Sequence, residues 1–330
     1  MARVLITGVT GFIGSNLAKR LVKLGHSVYG VTRHCASRSL KPIAEILDNI
    51  VLVTADITDP MSISQVLSSV NPDYIFHLGA LTPVRLSFEK PFEYERVNYL
   101  GTMNVVHALM KLPDYEKKRI IVASTAEVYG FHKEKEKPLK ESALLNPSSP
   151  YAVSKAAADM YVRMASKVYN LDGVVLRSVN TFGRKDEKRF LVEYIVASML
   201  MEEKVYVGAP ESVREYMYVD DHVNAYIQAM DKGRKGQAYN IATEKGIKNR
   251  DLIEIIAVKV HYDKNSVVFD SYPPGYPLRP IVSDQPYIVL DSSKAKKELN
   301  WSAQVALNEG LQKTIEYWRD NIAKSRMRVG

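Results

Sequence analysis

Thr7-Gly8-Val9-Thr10-Gly11-Phe12-Ile13-Gly14 is the stretch of sequence that decides the fold. It continues the short apolar run at residues 4–7 and opens an apolar pattern of helical spacing. That pattern is Phe12, Ile13, Leu17, Ala18 and Leu21. Glycines let a backbone turn sharply and approach a pyrophosphate, whose charge then sits at the N-terminus of the helix. The stretch therefore predicts a strand, a tight turn and a helix that together bind a dinucleotide.

A second pattern, Tyr151 followed by Lys155, puts a phenol and an ammonium one turn apart on a predicted helix. A nearby cation favours the phenolate, so this pair predicts a tyrosine that exchanges protons near neutral pH. By itself the same spacing is also that of a solvated helix face. The pair gains weight from residues 124–130, which place hydroxyls and a carboxylate at the carboxyl end of a predicted strand, where parallel sheets bind ligands.

The first half of the chain alternates strand-like and helix-like segments, which favours a parallel sheet covered by helices on both faces. We expect strands at residues 3–7, 27–32, 51–54, 74–77, 119–124 and 173–179. We expect helices at residues 12–24, 42–47, 61–69 and 91–110. The less regular second half has expected helices at 190–201, 219–230, 249–260 and 307–319, and strands at 205–207, 238–241 and 288–290.

These segments predict an α/β fold with a doubly wound parallel sheet and a smaller C-terminal lobe. Residues 1–183 are expected to form the dinucleotide-binding domain that carries the catalytic residues. Residues 184–330 are expected to form mainly a substrate-binding lobe, from which some segments can return to the first domain.

Composition excludes several other classes of protein. The apolar fraction of 46% and charged fraction of 25% are those of an ordinary globular chain. The net charge of +8 is spread out rather than clustered with aromatic residues, so no nucleic-acid partner is expected. A single cysteine fits a reducing compartment, and no apolar run is long enough for a membrane span. With no room for a signal peptide before the first strand, we expect a cytoplasmic protein without a metal site.

Several motifs occur in the order seen in one protein family. They lie at residues 7–14, 56–59, 77–80, 98, 124–130, 150–155, 177–183 and 214–221. Over essentially its whole length the chain resembles the extended short-chain dehydrogenases/reductases, in the group of nucleotide-sugar epimerases and dehydratases. The resemblance implies a Rossmann domain, a tightly bound nicotinamide cofactor, a nucleotide-sugar substrate and a transient 4-keto sugar.

The resemblance also implies roles for individual side chains. Tyr151 takes the proton of the sugar 4-hydroxyl, Lys155 lowers the pKa of Tyr151 and holds the nicotinamide ribose, and Thr125 hydrogen-bonds the 4-oxygen. Asn180 and Arg214 hold the nucleotide diphosphate, although they also fit a turn residue and a surface cation. Contacts to the cofactor are implied for Gly8, Gly11, Phe12, Ile13, Gly14, Asp56, Ile57, Leu78, Gly79 and Ala80.

The end of the second predicted strand departs from the usual dinucleotide pattern. Where an acid ordinarily binds the adenosine 2′-hydroxyl, the chain has Thr32, followed by Arg33 and, nearby, Arg38. Nothing there repels a phosphate, and an arginine suits the 2′-phosphate of NADP by charge and fork geometry. We therefore expect NADP, as in the GDP-mannose dehydratases that this segment resembles. The alternative is NAD, with Arg33 pointing to solvent.

The run Thr125-Ala126-Glu127 leaves two reactions open. Glu127 matches the group that removes the C5 proton in dehydratases of the family. Ala126 stands where those dehydratases carry a hydroxyl or carboxylate, and epimerases of the family often have alanine at this position. An NDP-hexose 4,6-dehydratase, similar to the GDP-mannose enzymes, is our first expectation, and an NDP-sugar 4-epimerase is the alternative. A non-catalytic NADP-binding scaffold is a remote third, disfavoured because Tyr151 and Lys155 are both present.

Two predicted helices, at residues 91–110 and from Tyr151 to about residue 169, carry more apolar residues than a sheet can cover. These residues are Val105, Leu109, Ala157, Met160 and Met164. In the family the matching helices pair across a two-fold axis as a four-helix bundle. We therefore expect a homodimer with a self-complementary interface, the alternative being burial within the chain.

Overall fold

The computed structural model describes residues 1–33, 40–132, 138–185, 187–273, 275–276 and 279–327, and Arg38 lies outside these ranges. The strands are β1 Arg3–Thr7, β2 Ser27–Thr32, β3 Ile50–Thr54, β4 Tyr74–His77, β5 Arg119–Thr125, β6 Asp172–Ser178, β7 Asn180–Phe182, β8 Val205–Val207, β9 Val213–Arg214, β10 Tyr216–Tyr218, β11 Ala238–Ile241, β12 Ile247–Lys248 and β13 Val267–Phe269.

The α-helices are α1 Phe12–Lys23, α2 Pro60–Val70, α3 Leu86–Glu89, α4 Pro91–Tyr94, α5 Gly101–Met110, α6 Pro150–Val168, α7 Leu191–Leu200, α8 Val219–Lys232, α9 Asn249–Val260, α10 Ser293–Leu299 and α11 Leu307–Met327. A π-helix, Glu95–Leu100, joins α4 to α5, and Lys41–Asn49 is a 3₁₀ helix where an α-helix was expected.

Seven strands form one parallel sheet in the order β11-β6-β5-β4-β1-β2-β3. Chain order reverses between β1 and β4, which is the place where doubly wound sheets bind ligands. Successive side chains of β1 enter opposite layers of the core: Val4 and Ile6 join one apolar cluster and Leu5 the other. The predicted doubly wound α/β fold is confirmed.

The second half of the chain contributes to both parts of the molecule. Strand β11 extends the main sheet beside β6, and α8 packs on α1. A third apolar cluster, which includes Ile195, Ile253 and Trp318, lies under the remaining helices and short strands. The division of function between residues 1–183 and 184–330 stays a prediction. Within the described part of the chain, no helix is both long and apolar enough to cross a bilayer.

Two sequence-based expectations about packing and strands are wrong. Val105 and Leu109 are fully buried within the chain, because α5 packs against α2 as well as against α6. Met160 and Met164 of α6, by contrast, are 58% and 37% exposed. No strand forms at residues 288–290, where the backbone makes one isolated parallel bridge, Leu290 to Leu139.

Candidate active site

The turn between β1 and α1 packs backbone directly on backbone. Gly8 has a φ of +72°, and a Cβ atom there would lie 2.9 Å from the amide nitrogen of Gly79. A Cβ atom on Gly14 would lie 2.2 Å from the carbonyl oxygen of Gly8. Gly11 caps α1 without a side-chain hydrogen bond, so the first amides of the helix have no capping side chain and suit an anion. These features fit the diphosphate of a dinucleotide.

The ends of β2 and β3 meet where the adenosine half is expected. Thr32 and Arg33 lie at the end of β2, and Arg33 is exposed. Asp56 accepts hydrogen bonds from the backbone and hydroxyl of Thr58, both at 2.9 Å. Burial acts to raise the pKa of Asp56, but Thr58 and the charges of Arg33 and Arg96 hold it below its ordinary value. Arg33 thus lies close enough to act on Asp56 electrostatically.

Strand β5 and helix α6 bring three predicted catalytic residues together. Thr125 ends β5, and its hydroxyl accepts a hydrogen bond of 3.2 Å from the backbone of Glu127 and also hydrogen-bonds the Tyr151 phenol. Ser149 caps α6 through the amide of Ala152, with proline next in the chain, so Tyr151 falls in the first turn. Glu127 is partly exposed and close enough to raise the pKa of Tyr151.

Burial dominates the protonation of both Tyr151 and Lys155. Burial raises the pKa of the phenol above its ordinary value, and the hydrogen bond from Thr125 only partly opposes this. Lys155 lies one turn further along α6. Burial lowers the pKa of Lys155 itself to about 8. Desolvation is the largest influence on both groups in this structure, and the lowering of the phenol pKa by Lys155 stays a prediction.

A buried polar cluster anchors α6 to the sheet. Arg177 of β6 donates two hydrogen bonds, of 2.8 and 3.0 Å, to the carboxylate of Asp159, which also accepts one from Ser124 at 3.0 Å. The Tyr129 hydroxyl accepts from Arg177 and donates to Asn240. Sequence reasoning missed this cluster, although Asp159 follows Lys155 by four residues on the same helix.

The predicted diphosphate contacts lie in the second half of the chain. Arg214 is buried, with one guanidinium nitrogen 2.7 Å from a carboxylate oxygen of Asp284, so it is not a surface cation. Asp284 also pairs with Arg279, whose buried Nε atom has no hydrogen-bond partner in the described structure. Asn180 is exposed on β7, beside β10, which starts two residues after Arg214. Arg279 and Asp284 are candidates that the sequence did not reveal.

The glycine turn at residues 7–14 and the loop after β4 meet at the carboxyl edge of the sheet, where the backbone of Gly8 packs on that of Leu78 and Gly79. Phe12 is the first residue of α1, and Ile13 is the second. The guanidinium carbon of Arg184 lies over the Phe12 ring, 4.4 Å from the ring centre. The side chain of Ile57 would contact a Cβ atom on Gly79, so Ile57, Leu78, Gly79 and Ala80 occupy one region. Within the described residues, no group of three or more His, Cys, Asp or Glu side chains could hold a metal ion.

Comparison with known proteins places this site in a class. The matches identify an NAD(P)-binding Rossmann protein of the extended short-chain dehydrogenase/reductase group whose members modify nucleotide sugars. The chain belongs to the family of GDP-mannose 4,6 dehydratase, whose model matches residues 5–314. It is an enzyme of the nucleotide-sugar 4,6-dehydratase and 4-epimerase type.

Similar proteins include both reaction types. A probable dTDP-glucose 4,6-dehydratase of Sinorhizobium fredii is 29% identical, over 97% of this chain and 93% of the relative. The structure of a Thermotoga maritima UDP-glucose 4-epimerase with UDP-glucose has a TM-score of 0.86 and 31% identity, covering 97% and 99% of the two chains. That of a Streptomyces venezuelae dTDP-glucose 4,6-dehydratase with NAD bound has a TM-score of 0.86 and 26% identity, covering 98% of each.

Proposed function

We propose that the chain is an NDP-hexose 4,6-dehydratase that works through a 4-keto sugar. The observation that carries this proposal is the carboxylate of Glu127 beside the Tyr151 phenol, with Thr125 hydrogen-bonded to that phenol. Oxidation at C4 makes the neighbouring C5 hydrogen acidic, and elimination of the 6-hydroxyl then needs a base next to C5. A carboxylate on the same side of the site as the phenol supplies such a base.

The side chains divide the work between holding the sugar and moving protons. Thr125 hydrogen-bonds the sugar 4-oxygen and Tyr151 accepts the proton of the 4-hydroxyl. Glu127 takes the C5 proton and returns a proton to the departing 6-hydroxyl, which compensates for the missing acid at Ala126. Lys155 orients the cofactor ribose. A bound oxidised nicotinamide supplies the hydride acceptor and a positive charge that lowers the pKa of Tyr151.

We further propose that the cofactor is NADP. Arg33 follows the last residue of β2, where no acid is available for the adenosine 2′-hydroxyl. Arg33 acts electrostatically on Asp56, so its charge is directed toward the adenosine end of the site. A guanidinium there attracts a 2′-phosphate. The solved dehydratase from Streptomyces venezuelae has NAD bound, which makes NAD the competing cofactor.

The nucleotide diphosphate is proposed to bind at Arg214 and Arg279, with Asn180 at the edge of the same crevice. Two guanidinium groups share one carboxylate, Asp284, which leaves an excess of positive charge. The buried Nε atom of Arg279 has no partner and is available as a donor. Together these donors favour a diphosphate ligand. Among the bases, the resemblance around Arg33 favours a GDP-mannose-like substrate.

A 4-epimerase is the second candidate, because of Ala126. This side chain is buried in an apolar cluster, so the position between Thr125 and Glu127 offers no acid to the sugar. The Thermotoga maritima UDP-glucose 4-epimerase is among the similar structures. An epimerase must leave the C5 hydrogen in place and turn the 4-keto sugar over.

Product analysis in deuterium oxide tests the two reactions. The protein is incubated with UDP-, GDP-, dTDP- and CDP-hexoses, and the products are identified by NMR. We expect a 4-keto-6-deoxy sugar with deuterium at C5. Glu127→Gln should stop elimination while reduction of the cofactor by the sugar continues, and Glu89→Gln, at an exposed position of α3, is the control. Two interconverting C4 epimers without deuterium at C5 would mean that the chain is an epimerase.

A homodimer through α6 and the preceding helices is also proposed. Val153, Met160 and Met164 are exposed on α6, and Leu100 is exposed at the end of the π-helix. A self-complementary pairing would bury these apolar side chains. Light scattering should give a dimer, and Met160→Lys should shift it to a monomer. A wild-type monomer at micromolar concentration contradicts the proposal.

A further inference from the structure

A continuous line of buried hydrogen bonds runs from the end of β1 to the π-helix. The Thr7 hydroxyl lies 2.8 Å from Nδ1 of His77, and Nε2 of the same ring lies 3.0 Å from the Thr102 hydroxyl. Thr102 donates a bond of 2.6 Å to the carbonyl of Asn98. All four residues are almost completely inaccessible to solvent. A buried polar line of this kind is costly unless every member is paired, so the loss of one link leaves a buried polar group without its partner.

The direction of each bond follows from the donors available. Thr7 Oγ1 already accepts bonds from the amides of Leu78 and Gly79, at 3.1 and 3.0 Å, so its own proton must go to His77 Nδ1. The Thr102 hydroxyl gives its proton to Asn98 and must accept from His77 Nε2. His77 is therefore neutral, with its proton on Nε2. Burial and the charge of Lys155 lower the pKa of His77 to about 3, which agrees with this form.

Asn98 continues the line to the catalytic helix. Its side chain accepts from the amide of Leu81 at 2.8 Å and donates to the carbonyl of Leu81 at 3.0 Å. It also donates to the Ser154 hydroxyl at 3.1 Å, and Ser154 donates to the carbonyl of Tyr151 at 2.8 Å. Asn98 lies inside the π-helix, a distortion that often accompanies a functional site. Both ends of the loop at residues 78–81 are thus tied to one line.

We propose that His77 is a positioning residue, which acts as the central link that keeps the loop at residues 78–81 in register with Tyr151 on α6. This rests on the proposed function, in which Tyr151 reacts with the sugar, and on the cofactor contacts that the resemblance implies for Leu78, Gly79 and Ala80. Through Thr7, His77 holds the amides of Leu78 and Gly79. Through Thr102 and Asn98, it holds the first turn of α6. The Nε2-protonated tautomer of His77 then fixes the position of the Tyr151 phenol relative to the cofactor.

Two variants of His77 separate the two ends of the line. In His77→Asn the side-chain oxygen occupies the place of Nδ1 and still accepts from Thr7, but nothing donates to Thr102. In His77→Gln the amide nitrogen reaches the place of Nε2 and donates to Thr102, but the Thr7 hydroxyl loses its acceptor. We expect His77→Asn to keep its cofactor affinity and lose about tenfold in kcat, the usual result of one unpaired buried group. His77→Gln should lose cofactor affinity by a similar factor and keep more of kcat.

Thr102→Val and Thr314→Val form a matched pair of controls. Each threonine is buried in a helix and donates to the carbonyl four residues earlier, at 2.6 Å for Thr102 and 2.9 Å for Thr314. Only Thr102 also meets His77. Thr102→Val should lower kcat about as much as His77→Asn, and the double variant should lose no more than either single one, because both break the same line. Thr314→Val should leave kcat within about twofold while costing similar stability.

Cofactor affinity, measured by fluorescence quenching with NADP and with NAD, needs no substrate. If no NDP-sugar is turned over by the wild type, the proposed function fails, yet the affinity difference between His77→Asn and His77→Gln still tests the line. Equal losses of affinity and kcat in the two His77 variants would overturn the proposal. So would a Thr102→Val variant that behaves like Thr314→Val. If the His77 variants do not fold, the comparison of kcat between Thr102→Val and Thr314→Val decides alone.

Discussion

The proposed cofactor side and the proposed substrate side of the site are built in different ways. At the turn after β1, backbone meets backbone so closely that a Cβ atom on Gly14 would lie 2.2 Å from a carbonyl oxygen. At the substrate side, long side chains from distant segments meet in an ion cluster, Arg214 with Asp284 and Arg279. The first arrangement leaves no freedom for side chains. In the second, the proposed diphosphate would replace the carboxylate of Asp284 as the acceptor of the two guanidinium groups.

The largest loss of activity is expected on substitution of Tyr151, which lies between the two sides. Tyr151→Phe removes the phenol but keeps the ring in its edge-to-face contact with Tyr94. Turnover of the nucleotide sugar should fall by roughly 10² or more, as when a positioned acid–base group is lost, with cofactor binding unchanged. Tyr161→Phe, on the same helix, is the control. Near-normal turnover by Tyr151→Phe would show that another group takes the proton.

Arg33→Ala probes the cofactor side. If Arg33 contacts the 2′-phosphate, Arg33→Ala should lower the affinity for NADP by roughly tenfold to a hundredfold, because a charged hydrogen bond is lost. The affinity for NAD should hardly change. Titration of the apo-protein with each cofactor measures this. Arg96→Ala is the matched control, because Arg96 also acts on the charge of Asp56. Equal losses for both cofactors in Arg33→Ala, or a wild-type preference for NAD, would defeat the assignment.

Arg214→Met probes the substrate side alone. Arg279 remains to carry part of the ligand charge, so KM for the nucleotide sugar should rise by only about tenfold. Cofactor affinity should not change, because the two sides are built from separate contacts. Steady-state kinetics with a cofactor titration tests both points, and Arg250→Met, on the surface with Glu211, serves as control. A simultaneous loss of cofactor would mean that the two sides are mechanically coupled.

The smallest effect concerns stability and pH at Lys155. Burial lowers its pKa from 10.5 to about 8, so between these values the unfolded chain binds more protons than the folded one. Stability from this group therefore rises with pH through that window, and the buried ammonium is unfavourable below it. Lys155→Met removes the buried ammonium and its cost, so at pH 7 the variant should have a higher Tm than the wild type. This difference in Tm should shrink as the pH rises from 7 to 10. Exposed Lys167→Met should show no such trend, and a Tm difference independent of pH would contradict the expectation.

Sequence reasoning worked where a structural feature depends on neighbours in the chain. The first strand with its glycine turn and helix was predicted correctly, the fifth strand ends one residue later than predicted, and Tyr151 and Lys155 lie on a helix as predicted. It failed where packing decided. The helix expected at 91–110 is interrupted by the π-helix that holds Asn98, and Val105 and Leu109 are buried by α2 and α6 rather than left for a partner.

The sequence by itself determined the parallel sheet, the glycine turn and the class of chemistry, because short spacings and strand or helix periods control these features. Only the tertiary structure decided the charge state and the contacts of the groups. Burial raises the pKa of Tyr151 and lowers that of Lys155, and Asp284 meets Arg214 from 70 residues away. Desolvation and long-range contact depend on what surrounds a residue in space, which its neighbours in the chain do not specify.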